Sequence, residues 1–291
     1  MERTDSDDPT VLLTGGTSGI GAIAARTLAE RGATVAVVGR DEDKGTRLAD
    51  ELTGSTGGTV RFHRADLATQ DAVRRLAEEV TATYDRLDVL VHNAGLSRQD
   101  HTITDDGIEL TFAVNHLAPY LLTHELMDPL RATPGARVVV TASGVHRRGE
   151  LALDDVRLED GYEPLDAYAR SKLANVAFTL ELADRLDGED IVANCFHPGF
   201  VPSTALFRDA SLRTRLFTRI AAVVPGIGTT PETGADRLVE LATAPEYGRR
   251  SGGYVGSDGP EEPAPAATDP DRRERLWNVS ADLVGIDPDW P

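Results

Sequence analysis

The sequence predicts an α/β fold: one doubly wound parallel sheet of about seven strands with helices on both faces. Three observations carry this. Strand-like apolar runs alternate with helical stretches almost end to end, the pattern of a parallel sheet crossed by helices. Several runs are continuous in Val, Leu and Ile, as strands covered on both faces require. The 291 residues suit one large α/β domain, which needs no disulfide to bury a core.

The strands fall at Thr10–Thr14, Thr34–Val38, Thr59–His63, Asp88–His92, Arg137–Thr141, Asp190–Phe196 and Gly253–Gly256. Apolar residues three and four apart place helices at Ile20–Arg31, Asp71–Thr83, Leu110–Leu130 and Asp166–Leu186. Right-handed crossovers then put helices on both faces. The first six strands form two βαβαβ halves, the mononucleotide-binding unit used twice in a Rossmann-type sheet. Residues 1–9 read as an acidic tail, 10–256 as the dinucleotide-binding domain, and 257–291 as a C-terminal extension. Loops are expected at Gly54–Gly58, Ser143–Leu165 and Gly199–Thr230. The last is long enough for a lid, with a helical piece near Arg213–Ala222. Pro260–Pro270 reads as a surface connection to a short helix at Asp271–Val284.

Composition narrows the partners. The net charge is −18, so the basic footprint of a nucleic-acid binder is missing, as is attraction to anionic membrane surfaces. No apolar run reaches the roughly 18–20 residues that span a bilayer. The polar start lacks a secretory signal, so a cytoplasmic protein is expected. The single cysteine, Cys195, allows no internal disulfide and reads as a small core residue. No metal cluster is expected. Only two of the 30 basic residues are lysines, Lys44 and Lys172. An acidic, Arg-rich surface suits a salt-rich cytosol; a GC-rich genome would produce the same replacement of Lys by Arg.

The first strand runs into Gly15-Gly16-Thr17-Ser18-Gly19-Ile20-Gly21, which opens a helix. Glycines let the backbone turn tightly and approach a pyrophosphate. The helix N-terminus adds free N–H groups and partial positive charge. The second strand ends at Arg40, where NAD-binding sites place an acidic residue. An Arg there can pair with the 2′-phosphate of NADP, so NADP(H) is expected over NAD(H). Lys44 is placed to assist, and Asp41 to cap the following helix.

Tyr168 and Lys172 stand four apart on one helix face. A phenol of pKa about 10 is a poor base, and a neighbouring ammonium favours the phenolate. The pair is therefore a workable acid/base unit, although Tyr and Lys meet this spacing on many helices by chance. Lys172 gains weight because Arg has replaced nearly every other lysine. Ser143 follows the strand ending at Thr141, at the carboxyl edge where such sheets bind ligands. Read alone, it would equally serve a local turn.

Taken in order, Thr14-Gly15…Gly19-Ile20-Gly21, Asn93-Ala94-Gly95, Asn115, Ser143, Tyr168…Lys172 and Pro198-Gly199 resemble the short-chain dehydrogenase/reductase family. The resemblance implies Tyr168 as general acid/base, with Lys172 lowering its pKa and holding the nicotinamide ribose. It implies Ser143 on the reacting oxygen and Asn115 in a proton relay. Gly15, Thr17, Ser18, Gly19, Ile20 and Gly21 would cradle the phosphates. Asp66 and Leu67 would border the adenine, and Asn93, Ala94 and Gly95 would flank the cofactor. Pro198, Gly199 and Ser203 would sit by the nicotinamide. The chain departs from the family at His92, where an Asn is frequent, and at Thr141-Ala142-Ser143, where paired serines are frequent.

A finer resemblance lies in Gly39-Arg40-Asp41…Lys44-Gly45, Val114-Asn115-His116-Leu117, Ser171-Lys172-Leu173-Ala174-Asn175, His197-Pro198-Gly199, Ser251-Gly252-Gly253-Tyr254 and Leu276-Trp277. These are similar to the retinol-dehydrogenase and WW-domain-oxidoreductase branch, though the membrane anchor common in its animal members is not expected here. That resemblance implies NADP(H) and a small apolar alcohol, aldehyde or ketone as partner. Phe200, Leu206, Phe207, Leu212, Leu216 and Phe217 would wall the pocket or simply pack the lid. A homo-oligomer is possible by the same resemblance. Two alternatives stand beside this reading: an NADP(H)-sensing regulator, which need not keep all four of Asn115, Ser143, Tyr168 and Lys172, and an epimerase or enoyl reductase on the same scaffold.

Overall fold

The computed structural model describes residues 8–159, 161–201 and 228–291. Seven strands form one sheet: β1 Thr10–Thr14, β2 Thr34–Gly39, β3 Thr59–Arg64, β4 Val89–His92, β5 Ala136–Thr141, β6 Ile191–Phe196 and β7 Gly253–Val255. Their order is β3-β2-β1-β4-β5-β6-β7, and every pairing is parallel. The chain reverses its winding between β1 and β4. This is the switch point where open α/β sheets bind ligands.

Each strand serves two cores because successive side chains point to opposite faces. Val11, Leu13, Val35 and Val37 pack with α1 (Gly19–Glu30), α2 (Glu42–Ser55) and α8 (Pro231–Thr243). Leu12, Ala36, Val38, Leu90 and Val138 pack on the other face. There they meet α3 (Gln70–Thr83), α5 (Ala118–Glu125) and α7 (Pro164–Arg185). The continuous apolar runs of the sequence are explained by this double burial. Cys195 is fully buried in the second core, which lifts its thiol to about 12.

Four expectations change. The single helix expected at Leu110–Leu130 is four pieces: α4 (Leu110–Phe112), a π turn (Ala113–Leu117), α5, and α6 (Met127–Arg131). Pro119 and Pro129 explain the breaks, since neither can donate to the carbonyl four residues back and each ring crowds it. The Ser143–Leu165 loop contains a 3₁₀ turn, Gly144–Arg148, and ends where α7 begins at Pro164. Helix α8 was not anticipated, although Thr230 caps it by accepting from the Thr233 N–H and Pro231 opens it. Finally, Pro260–Pro270 is not a plain surface connection. It carries α9 (Pro265–Thr268), and Ala264 and Ala267 are buried.

The last helix, α10 (Pro270–Val284), lies against α7. Its Trp277 is buried among Tyr120, Phe178 and Trp290. The extension therefore shares the body's core. Among the described residues, no helix is long and apolar enough to cross a membrane, and no group of three or more His, Cys, Asp or Glu side chains could hold a metal. The expected helical piece near Arg213–Ala222 lies outside the described residues, as do Ser203, Leu206, Phe207, Leu212, Leu216 and Phe217.

Candidate active site

The turn after β1 is built for close approach. Gly15 has φ +66°, and a Cβ there would come within 2.8 Å of the Ala94 Cα. Gly21 lets α1 settle on the strand end, since its Cβ would lie 2.3 Å from the Gly15 carbonyl oxygen. Gly19, at φ +52°, is different: nothing lies within 4 Å of its Cβ position. The space beside the helix start is open. Ser18 is the N-cap, yet its hydroxyl makes no capping bond, and no acidic residue stands in the first turn. Uncapped N–H groups at a helix start, with open space before them, fit a phosphate. The chain thus passes a physical test for a dinucleotide's anionic bridge. Thr17 leans on the end of β2, its Oγ1 3.1 Å from the Gly39 Cβ position. Ile20 is buried and meets Gly234 and, through it, Pro198.

Arg40 follows β2 and is exposed. Asp41 caps α2 by accepting from the Lys44 N–H at 3.0 Å. Asp41 is therefore occupied locally, while Arg40 and Lys44 are exposed at this edge. Asp66 and Leu67 follow β3 beside that edge. Asp66 is exposed and accepts from the Ala68 N–H at 3.2 Å, and Leu67 is half-buried.

Asn93 ties the sheet together at the switch point. Its amide N–H groups donate to the carbonyls of Thr14 at 3.2 Å and Gly15 at 3.3 Å. The Thr141 hydroxyl donates to Asn93 Oδ1 at 3.5 Å. The Thr14 hydroxyl in turn accepts from the Asn93 and Ala94 N–H groups at 3.0 and 3.2 Å. The phosphate turn, β4 and β5 are thereby fixed as one unit. Gly95, next in the chain, would place a Cβ 3.5 Å from both Asn115 Oδ1 and Lys172 Nζ, so the turn after β4 abuts these two side chains.

Asn115 lies fully buried on the π turn, a local widening common at functional sites. Its amide donates to the Leu96 carbonyl and to Ser171 Oγ, each at 2.9 Å, and its oxygen accepts from the Leu96 N–H at 2.8 Å. Ser171 donates onward to the Tyr168 carbonyl at 2.8 Å. Tyr168 and Lys172 are both buried on α7. Lys172 Nζ donates to the Thr141 carbonyl at 2.8 Å and lies 5.7 Å from the Tyr168 ring centre. Ser143 caps the 3₁₀ turn by accepting from the Val145 N–H at 3.4 Å. All four sequence-predicted catalytic residues thus gather at the carboxyl ends of β4 and β5. Sequence reasoning missed Thr141, whose carbonyl anchors the ammonium, and the Leu96 carbonyl, which anchors Asn115. Backbone acceptors leave no residue signature.

The electrostatics refine the expectation. Burial pushes the Tyr168 phenol up to about 12, and the Ser143 hydroxyl draws it partly back. Burial draws Lys172 down to about 8. The family resemblance implies that the ammonium lowers the phenol's pKa. In this structure desolvation of the buried phenol is the largest influence, and the Ser143 hydroxyl is the group that opposes it. The phenol stands neutral at neutral pH, poised to give a proton.

Pro198 and Gly199 follow β6. Gly199 has φ +78° and a Cβ there would meet Thr229 Oγ1 at 2.6 Å. Thr229 donates to the Pro198 carbonyl at 2.7 Å, pinning the start of the long loop to its end. Leu165 and Phe200, at 46% and 40% exposure, are two of the three large apolar side chains exposed among the described residues. Leu165 is one turn before Tyr168 on α7, and Phe200 is next to Gly199 in the chain.

A glycine-rich turn at a switch point, with a Tyr–Lys pair at the neighbouring strand ends, defines a dinucleotide-dependent oxidoreductase. The chain belongs to the short-chain dehydrogenase family, whose model, described as short chain dehydrogenase, matches residues 9–214. Retinol dehydrogenase 14 of Mus musculus is 36% identical over 288 residues, covering 95% of this chain and 86% of that protein. A crystal structure of an uncharacterized Mycobacterium paratuberculosis protein superposes with a TM-score of 0.78 at 31% identity, over 100% of both chains. A short chain dehydrogenase from Escherichia coli, solved in complex with NADPH, has a TM-score of 0.67 at 27% identity. It covers 86% of this chain and 96% of its own. The chain is an oxidoreductase of this family, in its retinol dehydrogenase-like branch.

Proposed function

We propose that the protein uses NADP(H) to interconvert a small apolar alcohol and its aldehyde or ketone, with Tyr168 as the acid/base. The observation that carries the reading is that Asn115, Ser143, Tyr168 and Lys172 are linked at the carboxyl ends of β4 and β5, with Gly95 of the β4 turn against Asn115 and Lys172. NADP(H) over NAD(H) is supported by exposed Arg40 at the end of β2 and by the NADPH complex of the Escherichia coli relative. An apolar substrate is supported by the exposed side chains of Leu165, one turn before Tyr168, and Phe200, next to Gly199, and by the retinol dehydrogenases among the relatives.

NADP(H), held by the turn at residues 15–21, by Arg40 and by Lys172, would supply or accept the hydride when bound. The chain's own groups handle orientation and the proton. In reduction, Ser143 Oγ–H donates to the carbonyl oxygen and polarises it. The Tyr168 phenol, protonated below about pH 12, gives its proton to that oxygen as charge develops. The Lys172 ammonium stabilises the phenolate left behind. Asn115, locked to Leu96 and Ser171, keeps the α7 start and the β4 turn in register. Reduction therefore needs no titration of Tyr168 at neutral pH, whereas oxidation needs the phenolate and should rise as pH rises.

The test is an NADPH-oxidation screen over aldehydes and ketones graded in polarity, repeated with NADH and in low and high salt. The expected result is turnover of apolar aldehydes such as nonanal with NADPH preferred. Turnover confined to polar sugars or with NADH alone would reject the reading.

A further inference from the structure

Three residues past Ser143, the 3₁₀ turn buries a histidine that the proposed chemistry does not use. His146 has no exposure. Its Nδ1 lies 2.8 Å from the Ser143 carbonyl oxygen, and its Nε2 accepts the Ala264 N–H at 3.0 Å. The two contacts fix the tautomer. An amide N–H can only donate, so Nε2 carries no proton, and Nδ1 carries it toward Ser143. The ring also lies 4.9 Å from the Tyr254 ring. Gly149 closes the turn against α7, where a Cβ would come within 2.5 Å of the Ala169 carbonyl oxygen. The turn bearing Ser143 is thus gripped from three sides: by β7 through Tyr254, by α7 one residue past Tyr168, and by the C-terminal extension through Ala264.

We propose that His146 is a positioning residue: its Nδ1–H holds the Ser143 backbone so that the Ser143 hydroxyl faces Tyr168, and the extension at Ala264 holds His146. The inference rests on the reading of Ser143 and Tyr168 given above. A second link of the same kind supports a structural role for the extension in the site. His116, next to Asn115, shares a hydrogen bond at 2.9 Å with Ser280 of α10. Both catalytic turns are therefore tied from behind to residues 257–291. The charged and titratable groups facing His146 are Arg147, His197 and Glu261, with Tyr254 in contact. Burial holds the imidazole below its ordinary pKa, the Ser143 carbonyl opposes that, Arg147 and His197 deepen it, and Glu261 opposes it. A neutral ring is what the Ala264 contact demands.

The experiment compares wild type, His146→Phe and His146→Asn. The Asn amide nitrogen falls where Nδ1 does, so it keeps the donor to Ser143, while Phe removes it. Three readouts are taken on the full chain: imidazole ¹⁵N NMR, the Ser143 Cβ chemical shift, and kcat for nonanal reduction with the Kd for NADP⁺. Expected are a proton on Nδ1 in wild type and a moved Ser143 shift in His146→Phe. That variant should lose tenfold or more in kcat with Kd within twofold, and His146→Asn should recover most of the kcat and the shift. A proton on Nε2, an unmoved Ser143 shift, or an Asn variant no better than Phe would overturn the proposal. The two NMR readouts need no turnover, so they decide it even if nonanal reduction, and with it the functional reading, fails. Should His146→Phe not fold, the wild-type tautomer and the Asn variant decide.

Discussion

Tyr168 and Lys172 show how burial sets chemistry at single residues. Removing both from water pushes the phenol up and the ammonium down, so the two meet with a protonated acid and a lysine whose charge is lost above about pH 8. The identity of the pair was legible in the sequence because Lys172 is one of only two lysines. The direction of the phenol's shift was not, because desolvation depends on what packs around a side chain. Arg40 was legible for a different reason: its place at the end of β2 follows from the strand pattern alone. Its role has a direct check. Arg40→Asp trades a cation that favours a 2′-phosphate for a carboxylate that repels it and accepts from a ribose hydroxyl. The NADP/NAD ratio of kcat/KM should fall by on the order of tenfold or more, each tenfold being about 1.4 kcal/mol. An unchanged ratio would remove Arg40 from the cofactor site.

At the scale of elements, all seven strands were legible to within a residue at each end, since buried parallel strands announce themselves as unbroken apolar runs. Helices were less so. The π turn at Ala113–Leu117 hides inside an apolar pattern that continues across it, and Pro119 is its one local sign. Helix α8 carried a readable start at Thr230-Pro231 but sits after a long loop, where the eye has no strand to count from. The extension's packing was also hidden, because prolines and acidic residues flank the two buried alanines. Its weight can be measured at Trp277. This side chain is 1% exposed, stands over the Arg185 guanidinium at 4.4 Å, and contacts three aromatic rings. Trp277→Ala should cost roughly 3–5 kcal/mol, read from urea unfolding. A loss below about 1 kcal/mol would mean that the extension merely rests on α5 and α7.

Across the whole molecule, one parallel sheet places every strand's carboxyl end at a single edge, and the candidate site is drawn from the ends of β1 to β6, the π turn and the start of α7. A net charge of −18 surrounds it. Self-repulsion of that size is screened as the Debye length shrinks from about 10 Å at 0.1 M salt to about 3 Å at 1 M. The melting temperature should therefore climb between those concentrations of NaCl; a flat or falling trend would indicate that ion pairs such as Arg26–Glu51 and Arg131–Glu189 dominate over net repulsion. The fold and the family are settled by sheet order and by the relatives. The proposed chemistry converges on one phenol. Its most direct test is Tyr168→Phe, which deletes the proton-bearing oxygen and leaves the ring in place. The account predicts a fall in kcat of roughly 10²–10⁴ for nonanal reduction, with NADP⁺ bound as tightly as by wild type; turnover near the wild-type rate would contradict it.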